Sequence, residues 1–273
     1  VQAYDIVIND FEPVSAWACY QKNKKCVALS HQVAVLNKNA PRAKNIDPIG
    51  KAIIKKYAPA DAEYGFHFKP YDTNIFTPVI RSEVRDQQVS DEGHYTVYLP
   101  SYDDKRILKV LRECKHTKWQ VFSKHNKKII TEKNISIVPI DNDAFIKSMA
   151  TATGVLCGAG FETPAEALFL KKKLMVIPMK GQFEQQCNAV ALKELGVPVI
   201  KSLKAKHLDK IKKWTKSGER VEVDYPDMTE EIINKILEAH VLAESDEEIQ
   251  PGKKVYSVGK FRKVVLKKIV AHF

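Results

Sequence analysis

No apolar run in this chain of 273 residues approaches the roughly 20 that a membrane-spanning helix needs. No secretory leader pattern is present either. Cysteine is scarce and unpatterned. Cys19, Cys26, Cys114, Cys157 and Cys187 are odd in number and form no C-x-x-C pair, which indicates neither a disulfide framework nor a zinc site. A reducing cytoplasm is the expected setting, with Cys157 and Cys187 as small apolar fillers. Internal repeats and low-complexity tracts are absent. So is any module that interleaves arginines with aromatics, and nucleic acid is therefore not an expected partner despite a formal charge of +11.

What is present suffices for two ordinary domains. With 44% hydrophobic and 28% charged residues, the chain can build substantial cores and is not disordered in composition. Lysines dominate the excess charge, in runs such as 22–25, 204–213 and 260–268. Two readings stand: solvated surface lysine, or attraction to an anionic membrane leaflet or polymer, which would place the protein peripherally on the inner face of a membrane.

The most informative stretch runs from Gly154 to Val199. A short apolar run ends in the turn Gly158-Ala159-Gly160 and enters a helical pattern at Thr163-Pro164-Ala165-Glu166. Proline suits a first helical position and threonine an N-cap. Free N–H groups, two glycines and the helix dipole then favour a bound diphosphate. Leu174 to Ile177 reads as a buried strand, and the loop after Pro178 leads to Glu184-Gln185-Gln186-Cys187-Asn188-Ala189 at the start of another helix. Both loops would lie at the carboxyl ends of parallel strands, where open α/β sheets bind ligands.

The pattern G-A-G-F-E-T-P-A-E, a basic helix end, V-I-P, then E-Q-Q-C-N-A resembles the donor half of GT-B glycosyltransferases, in particular family 28 and the peptidoglycan N-acetylglucosamine transferase group. The resemblance implies an α/β fold of two Rossmann-type parallel-sheet domains, and a nucleoside-diphosphate sugar, with UDP the expected carrier, as donor. It makes Gly158, Ala159 and Gly160 diphosphate contacts, with Phe161 and Thr163 completing the loop. Glu166 becomes the ribose ligand, Glu184, Gln185, Gln186 and Asn188 the sugar-side set, and Ile140 and Phe145 contacts of the base. It implies no required metal and no other cofactor, and a glycan or lipid-linked acceptor.

In chain order, Tyr4–Ile8, a helix over 14–22 and Cys26–Leu29 form a βαβ unit ending at Ser30-His31-Gln32. This unit resembles the later part of an acceptor domain, so residues 1–80 are expected to be the remnant of an N-terminally truncated one. Residues 81–93 read as a linker, 94–242 as the donor domain, and 243–273 as a tail. The tail's apolar face either packs back on the first domain or lies on a membrane. Met228–His240, with Ile232, Ile233, Ile236 and Leu237 on one stripe, is expected to complete the second domain. Acceptor deprotonation needs a base. His31 and Asp10 are the candidates, His31 also fitting a polar strand-end role, Asp10 and Glu12 also fitting helix caps. Asp141-Asn142-Asp143 has the D-x-D form of a metal motif but precedes a helical run, where capping accounts for it. Rival readings are a nucleotide-sugar epimerase and a non-catalytic nucleotide or anionic-glycan binding protein.

Overall fold

Runs of apolar residues too short for helices alternate with amphipathic stretches, and the chain folds accordingly into βα repeats. The computed structural model describes residues 1, 3–43 and 48–242. The first part comprises β1 (Val7–Asn9), α1 (Pro13–Gln21), β2 (Cys26–Ser30), α2 (His31–Leu36), α3 (Pro48–Tyr57), β3 (Ala62–Phe66) and β4 (Ile75–Phe76). Its four strands pair in parallel in the order β1-β2-β3-β4. After α4 (Ser82–Arg85) come β5 (His94–Tyr98), α5 (Asp104–Leu111), β6 (Lys118–Ser123), β7 (Ile130–Glu132), β8 (Ile135–Pro139), α6 (Asn142–Thr151), β9 (Gly154–Gly158), α7 (Glu162–Phe169), β10 (Lys173–Ile177), α8 (Phe183–Glu194), α9 (Leu208–Lys216) and α10 (Thr229–Leu237).

The second sheet has the order β10-β9-β5-β6-β8-β7, parallel except for the edge strand β7. β2 and β10 are buried along their whole length, as parallel strands covered on both faces must be. The chain builds outward from β5 through β6 to β8, then returns to lay β9 on β5's other side. That reversal opens a crevice between β5 and β9 at their carboxyl ends.

Caps fall where short acidic residues precede helices. Glu12 accepts from Val14 N and Ser15 N at the start of α1, and the Ser15 hydroxyl, then these backbone bonds, hold its carboxyl below the ordinary range. Asp141 caps α6 through Ala144 N at 2.8 Å. Asp103 caps α5 through Arg106 N. The segment Val221–Val223, which alternates like a strand, forms none. Its valines pack instead on the apolar cluster that holds Tyr225.

Two departures from the sequence reading bear on the architecture. The stripe Ile232, Ile233 and Ile236 of α10 packs not on the second sheet but on the first, against Val27, Leu29 and Tyr64. The apolar face of β2 and β3 needs a cover, and this stripe supplies it. Ile236 is fully buried there, so Ile236→Ala is expected to cost about 2–5 kcal/mol, read as a lowered urea midpoint. The expected tail segment 243–273 lies outside the described residues. The second departure concerns Lys172 and Lys173, expected as a basic helix end. Both are buried: Lys172 Nζ donates to Ser90 O at 2.6 Å, and Lys173 Nζ to Tyr95 Oη at 2.9 Å and Thr215 O at 3.0 Å. Lys171, in the left-handed conformation with φ 56°, turns the chain from α7 into β10 and so carries its neighbours inward.

One core runs between the two sheets. Phe68 from the β3–β4 loop, Ile80 and Val84 from the first crossing and Tyr225 from the return crossing join Val155, Cys157, Leu168 and Val176 of the second unit. Tyr225 Oη donates to Phe68 O at 3.2 Å, and Arg85 Nη2 to Tyr225 O at 3.0 Å. The two crossings are thus stitched to each other, and the carboxyl ends of β1–β3 are held facing those of β9 and β10.

Candidate functional site

At the reversal point β9 ends in Gly158, and the chain turns through Ala159 and Gly160 into α7. Ala159 is wholly buried in the core, so the half-buried Gly158 and Gly160 are the residues of this turn that face the crevice. Space around Gly160 is open: a Cβ built there meets no atom within 4 Å, so an anion can reach the backbone. Helix α7 begins at Glu162, with Phe161 in the N-cap position and no side-chain cap. Thr163 is therefore not the expected cap. Its place is inside the first turn, because winding can start ahead of Pro164, whose missing N–H has no partner to lose. The first intrahelical bond runs from Ala165 N to Phe161 O at 3.1 Å. The N–H groups of Glu162 and Thr163 precede it, at the positive end of the dipole.

Glu166, one turn into α7, is buried and held by Arg81 Nε at 2.7 Å. Burial raises its carboxyl above the ordinary range, with Arg81 opposing that shift. Arg81 also donates from Nη1 to Asn142 Oδ1 at 3.0 Å, tying the first crossing to the starts of both α6 and α7. Reading Arg81 as linker missed this role. The local signal was a lone arginine closing the apolar run Phe76-Thr77-Pro78-Val79-Ile80.

The start of α8 supplies the other wall. Gln182 caps it through Gln185 N at 2.6 Å. Gln185 Oε1 accepts from Met179 N at 3.0 Å and lies 3.6 Å from the position of a Cβ on Gly158, so this side chain stands beside the glycine turn with its NH2 still to place. Gln186 is half-buried on the same turn. Glu184 accepts from Gln32 Nε2 at 3.2 Å, and Asn188 is fully buried.

His31 joins the two sheets at this point. Ser30 caps α2, so His31 opens a helix rather than trailing a strand. Its ring stacks on Phe161 with centroids 3.9 Å apart and planes 8° from parallel. Nδ1–H donates to Phe66 O at 2.8 Å, and Nε2 lies 2.9 Å from the Asn188 side-chain oxygen. Burial lowers the basicity of this ring, so it is neutral and offers only a lone pair at Nε2. Hydrogen bonding there calls for the amide's NH2 in the oxygen's place, which also gives the otherwise unpartnered Asn188 Nδ2 a partner.

Behind His31 stands His67, just past the end of β3, a residue the sequence analysis did not single out. Its ring meets that of His31 edge-on at 5.2 Å, and its placement between Phe66 and Phe68 was the only local hint of burial. His67 is wholly buried, Nδ1 accepts from Phe68 N at 2.9 Å, and Nε2 has no hydrogen-bond partner. Burial, and secondarily His31, pushes its pKa down to about 3. An unfolded His67 takes up a proton near the ordinary histidine value, whereas the folded one does not until far lower pH. Stability contributed at neutral pH is therefore lost as pH falls: about 1.4 kcal/mol between roughly pH 7.5 and pH 5.5. His67→Asn, which retains an acceptor for Phe68 N, is expected to remove that share of the loss, as read by urea unfolding at the two pH values.

Asp10 is exposed at the carboxyl end of β1. The packing around it, and then the like charge of Glu162, raise its carboxyl above the usual range. Ile140 is 48% exposed at the end of β8, three strands and roughly 14 Å from β9. Nearer the glycine turn, Tyr98 on β5 meets Phe145 of α6 at 5.2 Å, an aromatic ledge of which the sequence reading had named only Phe145. Among the described residues no group of three or more His, Cys, Asp or Glu side chains could hold a metal ion. A large open cavity of about 890 Å³, lined by residues such as His94, Arg112, Lys118 and Lys133, lies elsewhere, at the amino ends of β5, β6 and β8. That is the opposite end from the glycine turn and from the end where such sheets bind ligands.

Two parallel α/β sheets whose carboxyl ends converge on a glycine turn and an uncapped helix define the GT-B class of fold. The model of the family described as "Glycosyl transferase family 1" matches residues 2–216. The chain belongs to that family. No curated protein sequence matches it. Among solved structures, the chain is similar to the glycosyltransferase SsfS6 of Streptomyces sp. SF2575, complexed with thymidine diphosphate, at 11% identity and a TM-score of 0.50, covering 80% of this chain and 62% of that one. It is also similar to MurG of Acinetobacter baumannii, at 16% identity and a TM-score of 0.49, covering 77% of this chain and 64% of that one. The chain thus spans a little under two thirds of the length of these two structures.

Proposed function

We propose that this protein transfers a hexose-type sugar from a nucleoside-diphosphate sugar to a hydroxyl of a glycan or lipid-linked acceptor of the cell envelope. The observation that carries the reading is the open backbone at Gly160, at the uncapped start of α7, in the crevice between β5 and β9. The N–H groups there receive the diphosphate and stabilise the charge that develops as it departs. Glu166, oriented by Arg81, takes the ribose hydroxyls. Gln185, with Gln186, reads the sugar, Asn188 supports that wall from behind through its contact with His31, and Tyr98, Phe145 and Ile140 offer surface to the base. The narrower kinship to the family 28 group rests on the motif residues alone.

As the acceptor oxygen bonds to the anomeric carbon and the bond to the diphosphate breaks, the acceptor's proton needs a receiver. Asp10 suits this role, being exposed and more basic than an ordinary carboxylate. His31, with both ring nitrogens engaged, acts here by positioning Asn188 and Phe161.

Calorimetry with UDP, TDP and their sugars tests this; thymidine is included because SsfS6 holds its diphosphate. Glu166→Ala is expected to weaken free and sugar-bearing nucleotides alike, and Gln185→Ala only the sugar-bearing forms. Asp10→Asn is expected to bind donor normally and to fail in transfer. A protein that binds none of these ligands, or whose variants bind like the wild type, would sink the reading.

A further inference from the structure

Helix α1, Pro13–Gln21, contains no ionisable Asp, Glu, Lys or Arg, in a chain of which 28% is charged. A surface helix ordinarily turns charge toward water. This one turns out Val14, Trp17 and Tyr20, which are 76%, 43% and 69% exposed. The spacing of three residues places them along one side. The patch extends beyond the helix. Trp17 packs edge-on against Tyr20 at 5.5 Å and donates from Nε1 to Tyr57 O at 3.1 Å. Tyr57 in turn meets Phe11 at 5.0 Å, and Ile53, one turn before Tyr57 on α3, is 55% exposed. Phe11 adopts a left-handed φ of 55°, a conformation a bulky residue rarely holds.

Lysines rim the far end of this apolar face, while the acids Asp10 and Glu12 lie at its start. Lys55 and Lys56 are exposed in the last turn of α3, and Lys22 is exposed where α1 ends. The acid nearest the start of α1, Glu12, has its carboxylate committed to the N-cap and to Ser15. Clustered exposed aromatics with polar tips, rimmed by lysines, match the boundary between headgroups and acyl chains of an anionic bilayer. A second copy of this chain would instead set the same lysines against one another.

We propose that the outer face of α1, with Phe11, Ile53 and Tyr57, docks on an anionic lipid bilayer. The face begins one residue from Asp10, at the carboxyl end of β1, so a docked molecule presents the mouth of the crevice to the headgroups. A lipid-linked acceptor would be met there. Docking itself does not rest on the donor-site reading, and it is measured without nucleotide.

The other two tryptophans, Trp119 and Trp214, are buried at 2% and 3% exposure, so a change in tryptophan emission on vesicle binding reports Trp17. Phosphatidylcholine vesicles containing phosphatidylglycerol are expected to shift the emission to the blue and to co-sediment the protein, and pure phosphatidylcholine to do neither. Val14→Ser/Tyr20→Ser removes only exposed apolar groups and is expected to weaken binding about tenfold or more, as is Lys55→Glu/Lys56→Glu. Unchanged Trp17 emission with anionic vesicles overturns the proposal. So does undiminished binding by Val14→Ser/Tyr20→Ser, which would assign attachment to lysines elsewhere. A blue shift that rises with protein concentration in the absence of lipid, with dimers in sedimentation velocity, would give the face to a second copy and overturn it equally.

Discussion

Gly160→Val is expected to weaken binding of a nucleoside diphosphate by about 100-fold, or about 2.7 kcal/mol, with little change in the melting temperature. The two halves of this expectation have separate causes. Nothing lies within 4 Å of a Cβ at Gly160, and its backbone is not left-handed, so a side chain can start there without a clash at its Cβ. The space it fills is the approach to the first N–H groups of α7. A diphosphate there would lose both the short hydrogen bonds and its closeness to the helix end. Calorimetry for binding and scanning calorimetry for stability read the two halves independently. A Gly160→Val protein that binds UDP and TDP as tightly as the wild type would place the diphosphate elsewhere.

At Gly65 the opposite outcome is expected: even Gly65→Ala should cost about 3 kcal/mol of stability. A Cβ on Gly65 would come within 2.8 Å of Ala34 N, 2.9 Å of Ser30 O and 3.1 Å of Ala34 Cβ. The first two are backbone atoms at the start of α2 and cannot swing aside, so α2 must lift from β3. His31 moves with it, loosening the stack on Phe161 and the bond to Asn188. A lowered urea midpoint, together with weaker binding of sugar-bearing nucleotides, is the expected pair of readings. An unchanged midpoint would mean that α2 does not press on β3 as closely as these distances require.

Much of the local structure was legible because its causes are local. The glycine turn followed by proline marked the strand-to-helix junction at Gly158–Glu162. Asp141 and Glu12 cap where a short acidic side chain precedes a helical run, which requires nothing from the rest of the chain. The limits are equally physical. Residues His31–Leu36, short and apolar apart from His31 and Gln32, satisfy helix and strand patterns alike, and Ser30 as cap was the signal that decides between them. The stripe on α10 announced that it would be buried but not on which sheet, since both offer apolar faces. Contacts that join distant segments left no local trace: Arg81 with Glu166 is separated by 85 residues and His31 with Asn188 by 157. A periodicity argument sees neither, although both ends of each pair stood out as polar residues beside apolar runs.

The return of α10 to the first sheet has a bearing on how the molecule can be divided. Although the sheets look like two modules joined at residues 77–93, the first is built from two stretches of chain far apart in sequence. A fragment ending near residue 80 would bare Val27, Leu29 and Tyr64 to water, and one beginning near residue 94 would carry a loose apolar helix with nothing to cover. Neither piece is a sound unit for expression, for swapping with a homologue's half or for labelling one half alone. Keeping residues 228–242 with the first stretch, through circular permutation or co-expression of that segment, is the dissection the fold permits.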